Sequence, residues 1–178
     1  MDKVTIRDKT FTISISSDQI QKRIAELAAQ ISTDLEGKKP IFVSVLSGAF
    51  LFSADLMKRI SMHCEITFVR VSSYAGTQST GHVKSLVGLS ESIKGRNVIV
   101  LEDIVDTGDT VMYLLEELKK NNPADIRIAS LLFKPKALKH DIKIDYVGFE
   151  VPNDFLVGYG LDYDGLGRNL NDIYKIEG

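Results

Sequence analysis

Residues 98–110 (VIVLEDIVDTGDT) constrain the fold of this chain more than any other stretch. Val98–Leu101 is an apolar run rich in β-branched residues, which is typical of a strand buried on both faces. Glu102 and Asp103 follow directly, although two adjacent carboxylates beside a core are costly to desolvate unless cations or hydrogen-bond donors meet them. A glycine-containing turn, 106–110, then leads into the helical run VMYLLEELKK. The fold must therefore place a strand end, an acidic pair and a helix N-terminus side by side.

This turn has the chemistry of a site for a phosphorylated sugar. The first N–H groups of a helix lack partners within the helix and carry the positive end of its dipole, so they bind phosphate. Gly108 lets the backbone come close to a ligand, and the hydroxyls of Thr107 and Thr110 can donate to phosphate oxygens. The acidic pair can accept hydrogen bonds from a vicinal diol or hold a divalent metal. Helix capping by Asp106 or Thr107 is the alternative, but it explains neither the acidic pair nor the glycine.

Strands and helices alternate along the rest of the chain. Alternating residues over 3–15 predict a hairpin, and a helix then runs from a capping box at Ser16 and Gln19 to Gly37. Further strands are predicted at 41–46, 65–74, 125–134, 146–151 and 155–160, and further helices at 50–60 and 111–120. This order predicts an α/β fold, a parallel-rich twisted sheet with helices on both faces, in one domain over 1–178.

Two other strand ends carry residues that can join the site. Ser47-Gly48 follows the strand at 41–46, and such a turn can bind an anion through its amides at the start of a helix. Lys134 ends an apolar strand, where the simpler interpretation is a lysine whose ammonium reaches water. Ligands of such sheets bind beyond the carboxyl ends of the strands, so we expect both to meet the acidic pair. The polar stretch 73–87 is either a mobile lid or the tip of an extended hairpin.

Composition excludes several classes of protein. The net charge of −2 argues against a dedicated nucleic-acid binder. The apolar runs are far below the roughly 18 residues that a membrane helix needs, and the polar N-terminus has no signal-peptide core. A single cysteine, Cys64, excludes an internal disulfide or a cysteine-based zinc site. We therefore expect a cytoplasmic protein with no nucleic-acid or membrane partner.

The stretch 98–110 resembles the signature for phosphoribosyl pyrophosphate (PRPP) of the type I phosphoribosyltransferases: an apolar strand, two acids, two apolar residues and D-T-G-x-T. Other segments resemble the hypoxanthine-guanine branch, so the resemblance covers nearly the whole chain. It implies the type I phosphoribosyltransferase fold, with a small C-terminal hood formed by about 146–178 and joined by the N-terminal hairpin. It implies transfer of the 5-phosphoribosyl group from PRPP to N9 of hypoxanthine or guanine in purine salvage, with Mg²⁺ as cofactor and a homodimer or homotetramer as the assembly.

The resemblance also gives each residue a role. The ribose and its Mg²⁺ are assigned to Glu102 and Asp103, and the 5′-phosphate to Thr107, Gly108, Thr110 and the backbone of Asp109. The pyrophosphate is assigned to Ser47, Gly48 and Arg168, and the purine to Lys134, Phe155, Leu156 and Asp162, of which Asp162 also binds metal. Ser47 stands where many relatives carry Lys or Arg, which preserves a backbone role only. The closing loop is 73–87, with Ser73 and Tyr74 at its start.

Substrate choice and the catalytic base follow from two side chains. Lys134 has three donors and no acceptor, so it suits the 6-oxo group of hypoxanthine or guanine and not the amino group of adenine. Asp106 lies between the diol-binding pair and the phosphate amides, and we expect it to accept the proton that the purine loses. A xanthine-preferring enzyme is the near alternative, and an RNA-binding regulator of the same fold is a more distant one.

Overall fold

The computed structural model describes residues 3–75 and 82–177. Within this part of the chain, no helix is long and apolar enough to cross a membrane. In chain order the elements are β1 (Lys3–Ile6), β2 (Lys9–Ile15), α1 (Ser17–Asp34), β3 (Ile41–Val45), α2 (Phe50–Met57), β4 (Glu65–Ala75), β5 (His82–Val87), β6 (Asn97–Val105), α3 (Asp109–Lys119), β7 (Asp125–Phe133), β8 (Tyr146–Glu150), β9 (Leu156–Val157) and β10 (Ile173–Ile176).

Six strands form the main sheet, in the order β5-β4-β3-β6-β7-β8. The neighbours from β4 to β8 pair in parallel, and β5 pairs antiparallel with β4 at the edge. The predicted α/β fold with a parallel-rich sheet is confirmed. The carboxyl ends of β3 and β6 lie side by side in the middle of the sheet, where the loops after them can meet.

The apolar run of β6 is continuous because both faces of the sheet are covered. Ile99 and Leu101 pack into a core with α1 and α2. Val98 and Val100 point to the opposite face and pack with α3. The predicted helices on both faces are confirmed, and the strand that leads to the acidic pair is fixed from two sides.

Four short strands form a second sheet, in the order β1-β2-β10-β9. The N-terminal hairpin belongs to this sheet, and Phe11 is fully buried in its core. The predicted hood begins near 146, but this sheet does not contain the strand predicted at 146–151. It contains only part of the strand predicted at 155–160. β8 pairs with β7 in the main sheet, and β9 ends at Val157 because the next three residues have positive φ angles.

The described parts of the predicted loop 73–87 belong to two strands. Residues 70–75 of β4 pair antiparallel with residues 82–87 of β5. Residues 76–81 lie outside the described part of the chain. The closure of this segment over a ligand stays a prediction.

Candidate active site

A cavity of about 310 Å³ opens where β3 and β6 end. Ten of the residues predicted from the sequence line it: Gly48, Glu102, Asp103, Asp106, Thr107, Gly108, Asp109, Thr110, Asp162 and Arg168. Ser47, Lys134, Phe155 and Leu156 do not line the cavity itself. The tertiary structure therefore brings most of the predicted groups together, from three separate parts of the chain: Gly48, 102–110 and 162–168.

The acidic pair is buried, as its place at the end of β6 requires. Glu102 is 4 % exposed, and its Oε1 has no hydrogen-bond partner among the described residues. Burial, and then the charge of Asp103, raise the pKa of the Glu102 carboxyl well above its usual range. Burial also raises the pKa of Asp103, although the backbone N–H of Ile104 donates to its Oδ1 at 2.8 Å. The pair is thus short of the positive charge that two carboxylates need.

The turn 106–110 leads into α3 without a side-chain cap. Gly108 is the N-cap residue, has φ 85°, and offers no side chain to the first N–H groups of the helix. The alternative that Asp106 caps α3 is wrong, because its carboxylate contacts a lysine instead. The Thr107 hydroxyl oxygen lies 3.4 Å from the backbone N of Asp109, a weak contact. The helix start therefore keeps N–H groups for an anion.

Asp106 and Lys134 form an ion pair beside this turn. Lys134 Nζ lies 3.0 Å from Asp106 Oδ2. The lysine is only 8 % exposed, whereas about half of the Asp106 side chain is exposed at the cavity. The backbone N–H of Lys134 also donates to the Val105 carbonyl at 2.9 Å, which fixes the lysine next to the turn. The predicted base and the predicted purine-reading residue are thus direct neighbours.

Close backbone packing joins the loop after β3 to the acidic pair. A Cβ added at Gly48 would lie 1.7 Å from Asp103 Oδ2, so any other residue there would displace the Asp103 carboxylate. Gly160, with φ 99°, packs against the Gly48 carbonyl, from which an added Cβ would lie 2.1 Å away. Because these two positions are glycines, the loop after β3 can pack closely against both the acidic pair and the segment around Gly160.

Arg168 lies next to the contact between Gly48 and Gly160. Its guanidinium donates to the Gly160 carbonyl at 2.6 Å and lies 2.7 Å from Asp162 Oδ1. The other oxygen of Asp162 accepts from the Gly165 backbone N–H at 2.7 Å. Both oxygens of Asp162, predicted as a metal ligand, are therefore engaged within the protein. A positive charge nevertheless reaches the cavity, because Arg168 lines it.

The structure adds two residues that sequence reasoning missed. Arg70, on β4, donates from its guanidinium to the Ser47 hydroxyl at 3.2 Å, which brings a cation to the loop that lacks one. His140 Nε2 lies 2.6 Å from Asp109 Oδ1. Neither residue belongs to a motif with its partner, since 23 and 31 positions separate them in the sequence. Neither contact leaves a recognisable pattern in the sequence.

Phe155 lies in an aromatic group of the smaller sheet. Its ring centroid is 6.4 Å from that of Phe11 and 5.8 Å from that of Tyr163. The residue is 46 % exposed, so part of its surface is available to a ligand. Leu156 is buried in β9. Base stacking on Phe155 stays a prediction, as do contacts of Ser73 and Tyr74, whose side chains lie outside what the structure describes.

Comparison with known proteins places the chain among enzymes. The family model of the phosphoribosyl transferase domain matches residues 16–164. The chain is 45% identical over 159 residues to the hypoxanthine-guanine phosphoribosyltransferase of Bacillus subtilis, covering 89% of this chain and 88% of that protein. It is equally identical to the bifunctional protein TilS/HprT of Listeria monocytogenes, of which it spans only 24%. A crystal structure of a hypoxanthine phosphoribosyltransferase from Staphylococcus aureus superposes with a TM-score of 0.86 at 38% identity, covering 93% of this chain and 90% of that one.

Proposed function

The chain belongs to the hypoxanthine-guanine phosphoribosyltransferases, and from this premise we propose that it transfers the 5-phosphoribosyl group of PRPP to N9 of hypoxanthine or guanine. The products are IMP or GMP and pyrophosphate, as in purine salvage. One observation carries the proposal: a single cavity holds the uncapped start of α3, the buried acidic pair and Arg168. These groups match the three parts of PRPP, namely its 5′-phosphate, its ribose diol and its pyrophosphate.

The residues of the cavity divide among these parts of the substrate. The N–H groups and hydroxyls of 107–110 bind the 5′-phosphate, and the backbone of Ser47-Gly48 binds the pyrophosphate with Arg168. Arg70, hydrogen-bonded to Ser47, adds positive charge on the pyrophosphate side. These contacts stabilise the negative charge of the 5′-phosphate, which stays bound, and of the pyrophosphate, which leaves. The protein acts by positioning and electrostatics, without a covalent intermediate.

The acidic pair suits Mg²⁺. Glu102 has a buried oxygen without a hydrogen-bond partner in the described part of the chain, and Asp103 lies next to it. Among the described residues no three His, Cys, Asp or Glu side chains form a metal site by themselves. Mg²⁺ ordinarily takes one or two protein carboxylates and completes its shell with substrate phosphates and water. When bound, the ion would neutralise developing charge on the pyrophosphate. Asp162 joins as a ligand only if Arg168 turns from it towards the pyrophosphate.

Asp106 serves as the base in this proposal. Its carboxylate is half exposed at the cavity and lies 3.0 Å from Lys134 Nζ. A purine whose 6-oxo group accepts from Lys134 places its imidazole ring beside Asp106, which takes the proton lost as N9 attacks. Phe155 and the backbone of Leu156 hold the base on its other side. Since Lys134 can only donate, adenine leaves it without an acceptor.

Several further features complete the proposal. The four-stranded sheet forms the hood over the cavity, and residues 73–87 close it and exclude water. Phe50, Phe68 and Val87 are large apolar side chains that remain exposed, which supports association into a homodimer or homotetramer. We place the protein in the cytoplasm, where purine salvage takes place. The comparisons do not favour the xanthine-preferring enzyme or the RNA-binding regulator.

A PRPP-dependent assay with hypoxanthine, guanine, xanthine and adenine side by side tests the proposal. We expect turnover of hypoxanthine and guanine, little turnover of xanthine and none of adenine, and a requirement for Mg²⁺. Adenine turnover comparable to that of hypoxanthine would contradict the role of Lys134. Turnover of xanthine above the other three bases would favour the alternative enzyme. Absence of pyrophosphate release with any base would refute the function.

A further inference from the structure

The turn 106–110, to which the proposed function assigns the 5′-phosphate, carries a carboxylate that should repel an anionic ligand. Asp109 is the first residue of α3 and lines the cavity. Its Oδ2 accepts a hydrogen bond from the Thr107 hydroxyl at 2.9 Å. Its Oδ1 lies 2.6 Å from His140 Nε2, and the imidazole must be the donor because a carboxylate only accepts. Hydrogen bonds from His140 and then Thr107 lower the pKa of the Asp109 carboxyl, so the group is anionic at neutral pH.

The histidine belongs to a segment, residues 134–142, that braces the turn along its length. Backbone N–H groups of Lys134 and Lys139 donate to the carbonyls of Val105 and Thr107 at 2.9 and 3.0 Å. A Cβ added at Gly108 would lie 2.8 Å from Leu138 and 3.5 Å from His140. The imidazole is therefore held against the turn by the same segment that supplies Lys134. The position of the His140 ring is therefore set by the backbone hydrogen bonds and packing of this segment.

Binding of a phosphate changes what Asp109 contacts. The Thr107 hydroxyl now donates to Asp109, and it cannot also donate to a phosphate oxygen because it carries one proton. When the phosphate takes this hydroxyl, Asp109 Oδ2 loses the hydrogen bond from Thr107. The contact of Oδ1 with His140 can persist, while a dianionic phosphate beside the carboxylate repels its charge. The histidine therefore contributes more to the position of the carboxylate with the phosphate bound than without it.

We propose that His140 is a positioning residue for the 5′-phosphate: its hydrogen bond holds the Asp109 carboxylate in place when the Thr107 hydroxyl leaves that carboxylate and donates to the ligand. The inference rests on the proposed function, since it names the group that the turn binds as the 5′-phosphate of PRPP. It concerns affinity for the phosphate and not the bond-breaking step. His140 touches neither the purine nor the pyrophosphate side of the cavity.

A double-mutant cycle between His140 and Asp109 tests this role. His140→Phe keeps the ring but removes the donor, His140→Gln keeps a donor, and Asp109→Asn removes the charge. We expect His140→Phe to weaken PRPP binding by about 3- to 5-fold, within the modest range of a partly exposed polar pair, and His140→Gln to restore most of it. In the Asp109→Asn background, His140→Phe should change PRPP affinity by less than about twofold, because no carboxylate is left to hold.

Pyrophosphate binding and kcat supply the internal controls. His140→Phe should change neither of them more than His63→Phe does. His63→Phe is a matched change at an exposed histidine that does not line the cavity. An equal loss of PRPP affinity in both backgrounds would show that His140 only braces the fold, and an unchanged affinity in the parental background would also overturn the inference. If the parental protein turns over hypoxanthine in these experiments, such a failure leaves the proposed function intact.

Discussion

Glu102→Gln should stabilise the ligand-free protein while weakening its site. Glu102 is 4 % exposed, and one of its oxygens has no partner among the described residues. Burial raises its pKa well above the ordinary 4.5, so the folded state holds the proton more tightly than the unfolded state. The stability that this proton contributes is fully present below about pH 4.5 and is lost as the pH rises towards the folded-state pKa, at up to about 1.4 kcal/mol per pH unit.

Glutamine has a similar shape but no carboxyl proton to lose. The stability of Glu102→Gln should therefore not fall with rising pH in this way. The difference in the free energy of unfolding between Glu102→Gln and the parental protein should therefore grow with pH. We expect it to reach about 1–3 kcal/mol in favour of the variant near pH 8, the scale of a buried polar group without a partner. The gain comes with a loss, because Mg²⁺-dependent PRPP affinity should fall by at least about tenfold when a carboxylate ligand is removed.

Urea unfolding at several pH values between 5 and 9, with a chelator present, measures the first effect, and calorimetric titration of PRPP with Mg²⁺ measures the second. Glu116→Gln, on the exposed side of α3, is the matched control and should leave both unchanged. Parallel stability curves for the parental protein and Glu102→Gln, or a variant that is less stable at pH 8, would refute the argument from burial.

Four other substitutions test the rest of the site. Asp106→Asn should lower kcat by about 10²–10⁴ if the carboxylate is the base, and turnover within a few-fold of the parental rate would leave it only as the partner of Lys134. Thr110→Ala should weaken PRPP binding by about 1–3 kcal/mol, the scale of a hydrogen bond to a charged group, and an unchanged dissociation constant would count against the assignment. Gly165→Ala should cost about 1 kcal/mol of stability for its positive φ alone. Gly160→Ala should cost at least about 3 kcal/mol and disturb pyrophosphate binding, because its Cβ would also strike a backbone carbonyl; equal melting temperatures for the two glycine variants would contradict this.

The sequence by itself determined most of the elements and the centre of the site. The run before Glu102 is apolar at every position, and it became a strand buried on both faces because each face is covered by helices. Gly108 and the two threonines beside it specified an uncapped helix start next to an acidic pair. These features are encoded within a few positions of one another, so periodicity and turn chemistry are enough to predict them.

Only the tertiary structure decided which distant groups complete the site. The approach of Gly160 to Gly48, and with it the place of Arg168, depends on how the chain returns from the smaller sheet over the larger one. The pairing of His140 with Asp109 depends on the segment after β7 packing against the turn after β6. Strand order and the packing of loops against each other set these contacts, and neither leaves a periodic pattern in the sequence.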